Sequence, residues 1–237
     1  MEKLGADNYI EQSSYIYRNI GRMLAKLGRY EEALIDLGRA IELDPNNFNA
    51  WANRGSAKGS LGRYEDALTD YDRAIELDAD NSITWMYRGN TKNNLGRYEE
   101  ALIDYNRAIE LDANNSNFWN SRALKFSIQE KFKQAISDID RAIELSSREV
   151  IYMANKGIIY VRKSEFDKAK ECIDRSEFMD SDRQFIYYAR ACYFALQNKE
   201  QEAIAIAPHR CKREAKHNPD FDRLRDNPEF KTLINAN

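Results

Sequence analysis

Residues Leu95–Ser116 read LGRYEEALIDYNRAIELDANNS, and near-copies of this phrase stand upstream at one constant spacing, opening at Leu61 and at Leu27. Leu61–Ser82 reads LGRYEDALTDYDRAIELDADNS, and Leu27–Phe48 reads LGRYEEALIDLGRAIELDPNNF. A weaker copy runs from Glu130 through Phe132, Ala135 and Ala142 to Leu145. Self-similarity at this period predicts an array in which each unit buries its apolar face only against its neighbours. Such a chain works as a surface that holds other molecules. Its near-identical units fix its architecture far better than its partner.

Within a unit the pattern predicts two helices. From Phe48, the segment FNAWANRGSAKGSL places Trp51, Gly55 and Lys58 at helical spacing, and Gly62 then ends the helix in the left-handed conformation. Glu65 and Asp66 fall in the first turn of the next helix, where acids complement its dipole. That helix continues through Ala67, Tyr71, Ala74 and Leu77, and Asn81 or Ser82 caps the following one. No Gly/Ser-rich linker separates the units, so they stack directly.

Reading down the repeats exposes columns. Gly21, Gly55, Gly89, Ala123, Gly157 and Ala191 form one small column, and Ala33, Ala67, Ala101, Ala135, Ala169 and Ala203 face it. A third, Ala40, Ala74, Ala108, Ala142 and Ser176, suits contact with the next unit. Tyr17, Trp51, Trp85 and Trp119, and Tyr30, Tyr64, Tyr98, Phe132 and Phe166, are expected to fill the remaining volume. These columns, with Pro45 after the first copy, strongly resemble the tetratricopeptide repeat family over about residues 14–217. The resemblance implies an all-α fold, a right-handed α-solenoid of stacked antiparallel helix pairs. The units fall at 14–47, 48–81, 82–115, 116–149, 150–183 and a degenerate 184–217, with 1–13 as an N-terminal extension. In the sixth, Glu200 replaces the aromatic residue and Pro208 interrupts the second helix. The segment 218–237 reads as a cap, with a helix starting at Asn227–Pro228 and Phe230 and Leu233 on one face.

One column departs from the family's usual apolar residue: after Ile20 it reads Arg54, Arg88, Arg122, Lys156 and Arg190. Asp36, Asp70, Asp104 and Asp138 precede the first four at one constant offset, and Cys172 precedes the last at the same offset. The expectation is a ladder of ion pairs between repeats, each base meeting the acid on the preceding second helix and so fixing register.

Function is expected on the face formed by the first helices, which in this family is concave. The family's pattern places there Tyr15, Arg18, Asn19, Arg22, Asn49, Asn53, Ser56, Tyr87, Asn90 and Asn94. Asn117, Asn120, Leu124, Ile151, Asn155 and Ile158 continue the series. Asparagine both donates and accepts, so it matches the repeating N–H and C=O groups of an extended peptide. Similar asparagine ladders occur in the repeat arm of O-linked N-acetylglucosamine transferase; here Tyr87, Ser121 and Ala189 interrupt the ladder, and solvated polar filler is the competing reading. The carboxylate clamp of the family's co-chaperone members is mostly absent, because only Asn53 matches it. Arg18, Arg22 and Lys26 make one end basic, while Ile151, Ile158, Val161, Phe185 and Tyr188 make the other apolar. Either a ligand of matching polarity, the C-terminal cap or a second copy of the chain is expected to cover that apolar end.

Composition narrows the classes of function. With 36 Lys and Arg against 39 Asp and Glu, the net charge of −3 gives no global attraction to nucleic acid or anionic membrane. No apolar run approaches the roughly 20 residues that span a bilayer. Three cysteines, an odd number without a CxxC pair, fit a reducing compartment, and the N-terminus lacks the apolar stretch of a signal peptide. A cytoplasmic location is therefore expected. His209, Cys211 and His217 lack a fourth ligand and sit among Arg210, Lys212 and Arg213, which would repel a metal ion. No phosphate loop or nucleophile motif appears. The reading is a non-enzymatic adaptor for an extended or helical protein segment, without cofactor, metal or nucleic acid, monomeric or weakly self-associating. A nucleic-acid or regulatory-ligand receptor is the alternative, since other helical-hairpin repeats read single-stranded RNA.

Overall fold

The computed structural model describes residues 2–146, 150–179, 184–206 and 219–235. Among them every regular element is helical. The chain divides into two compact units, residues 1–113 and 114–237. The first holds α1 (Glu2–Lys26), α2 (Tyr30–Leu43), α3 (Phe48–Ser60), α4 (Tyr64–Leu77), α5 (Ser82–Asn94) and α6 (Tyr98–Leu111). The second holds α7 (Ser116–Ile128), α8 (Phe132–Leu145), α9 (Val150–Arg162), α10 (Phe166–Met179), α11 (Gln184–Leu196) and α12 (Glu200–Ile206). A 3-10 segment (Pro219–Leu224) and α13 (Pro228–Asn235) follow. The boundary falls between the third and fourth repeats. Residues 2–13, expected as a separate extension, continue α1 without a break.

Local chemistry starts and stops these helices as the phrase requires. Asn47 accepts from the Ala50 N–H at 3.2 Å, and Asn81 from Thr84 at 3.0 Å, so asparagine rather than serine caps the first helices. Gly28, Gly62 and Gly96 take φ of 77°, 77° and 75° between the two helices of each hairpin. Behind Gly62, the Arg63 N–H reaches back to the Lys58 carbonyl at 2.9 Å, satisfying an orphan acceptor of the helix end. In later hairpins Glu130, Ser164 and Asn198 adopt the same positive φ at the cost of a side chain crowding the backbone.

The two helices of a hairpin approach closely because one contributes no side chain at the crossing. A Cβ on Gly89 would lie 2.9 Å from Tyr105, and one on Gly55 would lie 3.0 Å from Tyr71. The facing alanines, from Ala33 to Ala203, are fully buried. The tryptophan column does not fill this interior. Tyr71, Tyr105, Ile139 and Ile173 do, while Trp51, Trp85 and Trp119 are half-buried under stacked arginines. Trp51 and Trp85 also donate from Nε1 to the carbonyls of Pro45 and Ala79 at 2.9 and 2.8 Å.

Three members of the basic column, Arg54, Arg88 and Arg122, pair with the aspartate of their own repeat rather than with the expected one of the preceding repeat. Arg54 forks onto Asp70 through Nε at 2.9 Å and Nη2 at 2.8 Å, and Lys58 reaches the same carboxylate at 2.8 Å. Arg88 and Lys92 hold Asp104 in the same way, and Arg122 holds Asp138. The expected partner of Arg88, Asp70, belongs to Arg54 instead. Contacts to the preceding repeat use a different column, Arg88–Asp72, Lys156–Asp140 and Arg190–Asp174. Arg63–Glu31 and Arg97–Glu65, each 2.7 Å, add surface links between successive hairpins.

Candidate functional site

Within each unit the first helices of successive hairpins touch one another more closely than the second helices do. In the first unit the first-helix face is polar and open. Asn49 and Asn53 are half-buried on α3, and their amides form no hydrogen bond among the described residues. Arg22 and Lys26 are exposed on α1 without an ion pair among the described residues. Arg18 lies over the Tyr15 ring at 4.7 Å while donating weakly to Asn19. Tyr87 is exposed on α5, its ring 6.3 Å from that of Tyr71. Asn90 is already engaged, accepting from the Tyr105 hydroxyl at 2.7 Å, and Asn94 is exposed. Free amides and unpaired cations therefore share this surface, which can accept carbonyls and carboxylates.

The second unit behaves differently. Its asparagines are bonded across neighbouring hairpins: Asn155 donates to Asn120 at 2.9 Å, and the Tyr152 hydroxyl donates to Asn117 at 3.0 Å. Asn155 is buried, as is Ile158, which packs with Ala154, Val161 and Ala189. Ile151 is half-buried against the Ile139–Tyr152 core. The side chain of Phe185 lies outside the described residues, as do Pro208, His209, Cys211, His217 and the side chain of Leu233. Among the described residues no cluster of His, Cys, Asp and Glu could hold a metal ion. None of the described helices is long and apolar enough to cross a membrane.

What sequence reading missed lies here. Arg162, at the end of α9, grips Asp220 of the 3-10 segment through Nε at 2.8 Å and Nη2 at 2.7 Å, and donates from Nη1 to Ser127 at 2.6 Å. Phe221, Leu224 and Phe230 are buried with Ala191, Cys192, Ala195 and Ala203. The cap thus covers α11 and α12, with Phe221 and Leu224 joining Phe230 in that role. Burial and the neighbouring Asp220 raise the Cys192 thiol well above its ordinary range, so it stays protonated. Burial, with Arg162 nearby, lowers the Lys125 ammonium to about 8. A cleft of about 380 Å³ opens beside the ion pair, floored by Ile128, Phe132, Val161, Phe166 and Leu196. The signal available in sequence was Arg162 standing in the register position of Lys26, with an acidic–aromatic Asp220–Phe221 pair in the tail.

Residues 21–62 match the TPR repeat family model, and residues 52–116 match the tetratricopeptide repeat model. Over residues 21–116 the chain is built of tetratricopeptide repeats. Solved structures of this family share its fold. A tetratricopeptide repeat protein from Parabacteroides merdae has 18% identity and a TM-score of 0.70, covering 94% of this chain and 98% of its own. Pseudomonas aeruginosa pilF has 17% identity and a TM-score of 0.68, covering 91% and 98%. YrrB, described as a TPR protein with an unusual peptide-binding site, has 22% identity and a TM-score of 0.58, covering 73% and 89%. No curated protein matches the chain in sequence. Tetratricopeptide repeats are in general protein–protein interaction modules.

Proposed function

We propose that this tetratricopeptide-repeat protein is a non-enzymatic adaptor whose first unit holds an extended, acidic segment of a partner protein. One observation carries the reading: Asn49 and Asn53, whose amides are unbonded among the described residues, share the first-helix face with Arg22 and Lys26, unpaired among the same residues. An extended chain presents alternating N–H and C=O groups, and an amide side chain can pair with both. The cations add attraction for carboxylates and steer their approach. A rigid helical array orders little on binding, so most of the contact energy is retained. YrrB supports the reading as a neighbour of the same fold with a peptide-binding site.

A displayed peptide library selected on the full chain tests this. Acidic peptides are expected to be enriched by the wild type, with affinity falling at least about tenfold in an Arg22→Glu, Asn53→Asp variant of unchanged helical content. Identical selections by the two proteins would remove the first unit from the binding reaction. An RNA ligand bound with a steep salt slope would instead favour the nucleic-acid alternative.

A further inference from the structure

The C-terminal segment lies where a ligand of the second unit would lie. Tyr188 and Cys192 follow Asn120 and Leu124 by two full repeats, so they hold the same register positions on the first-helix face. Phe221 packs on that face, 5.7 Å from the Tyr188 ring, and Leu224 is buried beside it. We infer that residues 219–224 are an internal ligand, and that this face is a receptor for a partner's acidic–aromatic segment of the form Asp-Phe-x-x-Leu. The inference rests on the proposed partner-holding role and extends it to the second unit.

The chemistry of the contact distinguishes a ligand from a plain cover. Covering an apolar end requires only apolar area, which Phe221, Leu224 and Phe230 supply. It does not require a carboxylate 6% exposed clamped by a guanidinium 11% exposed. Desolvating both groups adds little net stability, but it discriminates sharply against any segment lacking the acid. The planar fork of Arg162 matches a carboxylate in two parallel bonds, and Ser127 holds the fork from its other side. Phe221 is the anchor, fully buried and stacked on Phe230 at 5.7 Å. Acid, aromatic and aliphatic groups at fixed separations are what a short recognition segment presents.

A tethered ligand competes with a free one at an effective concentration on the order of millimolar. A free segment of equal chemistry, binding at about 10–100 μM, would therefore be held off by a factor of about 10–100 while the tail is in place.

The test uses the full chain and a fluorescent peptide of residues 218–230, NPDFDRLRDNPEF. Three proteins are compared: wild type, Asp220→Ala with Phe221→Ala, and that double variant with Arg162→Gln added. The double variant is expected to bind the peptide at least about tenfold more tightly than the wild type, and Arg162→Gln to cancel the gain. No binding by the double variant, or equal binding by it and the wild type, overturns the inference. Loss of helical signal in the double variant makes the segment integral to the fold and overturns it equally. A doubled mass of the wild type that Asp220→Ala abolishes would assign the contact to a second copy and overturn the in-chain arrangement. None of these outcomes touches Arg22 or Asn53, so the role of the first unit stands or falls separately.

Discussion

Replacing Asp104 with alanine should be among the most damaging single changes in the first unit. The carboxylate is fully buried and accepts from Arg88 Nε at 3.0 Å and Nη2 at 2.6 Å, with Lys92 Nζ at 2.9 Å. Removing one partner of a buried pair costs about 3–5 kcal/mol, because the charge left behind has lost its counterion. Two cations are stranded here, which argues for the upper end. Arg88 keeps Asp72 at 2.7 Å and the Trp85 ring at 4.6 Å, and it retains 15% exposure, all of which soften the loss. About 3 kcal/mol is therefore expected for Asp104→Ala. Replacing Asp104, Arg88 and Lys92 together by Leu, Met and Met removes all three charges and should bring the loss to within about 1 kcal/mol of wild type. The assay is urea unfolding followed by helical signal, with the slope compared between variants because repeat arrays can unfold piecewise. A single change costing under about 1 kcal/mol, or a triple change as damaging as the single, would refute the reasoning. The geometry also separates two double-mutant cycles. Asp70 with Arg54 should couple by about 1–3 kcal/mol, whereas Asp70 with Arg88 should be additive within about 0.5 kcal/mol.

Gly89→Ala forces a Cβ to 2.9 Å from buried Tyr105 and should cost about 1–3 kcal/mol, whereas Gly59→Ala, with its nearest neighbour at 3.9 Å, should gain about 0.5–1 kcal/mol. Equal melting shifts in the two variants would contradict the close-approach account. The depressed Lys125 ammonium predicts a pH dependence with a definite sign. Between about 8, its folded value, and the ordinary lysine value near about 10.4, the unfolded chain holds a proton that the folded chain has released. Stability from this residue therefore rises with pH across that window, and Lys125→Met should flatten the rise and raise the melting temperature at pH 7. Parallel pH profiles for the two proteins would dismiss the effect.

The hairpins were legible because their signals are local. Asn47 and Asn81 cap, Gly28, Gly62 and Gly96 turn, and Ala67 and Ala101 allow close approach, each by its own stereochemistry. The ion-pair ladder was legible in its members and not in its pairing. Asp70 stands between Arg54 and Arg88 at nearly equal offsets that sum to one repeat, so periodicity alone cannot choose between them. Helix rotation within the hairpin decides, and it favours Arg54. The site was partly legible. Asn49 and Asn53 have the open amides that the column suggested, while Asn120 and Asn155 pair with each other, which depends on the spacing of α7 and α9. Phe221 escaped because a single ring among Asp220, Asp222 and Arg223 leaves no apolar periodicity to read.

Because the buried carboxylates Asp70 and Asp104 are satisfied inside their own hairpins, the early hairpins are interchangeable parts. Excising residues 48–81 would bring Arg97 opposite Glu31, where Arg63 now sits, and would leave the Arg88–Asp104 and Lys92–Asp104 contacts whole. The Arg88–Asp72 and Arg107–Asp80 links would go unmatched, since Gly38 and Asn46 occupy the corresponding places. A gene built this way can lose or gain a whole hairpin by recombination between its own near-identical segments and still encode a folding product. The reach of the polar face could thus be altered in steps of one hairpin, with the acid–base chemistry of each step carried along intact.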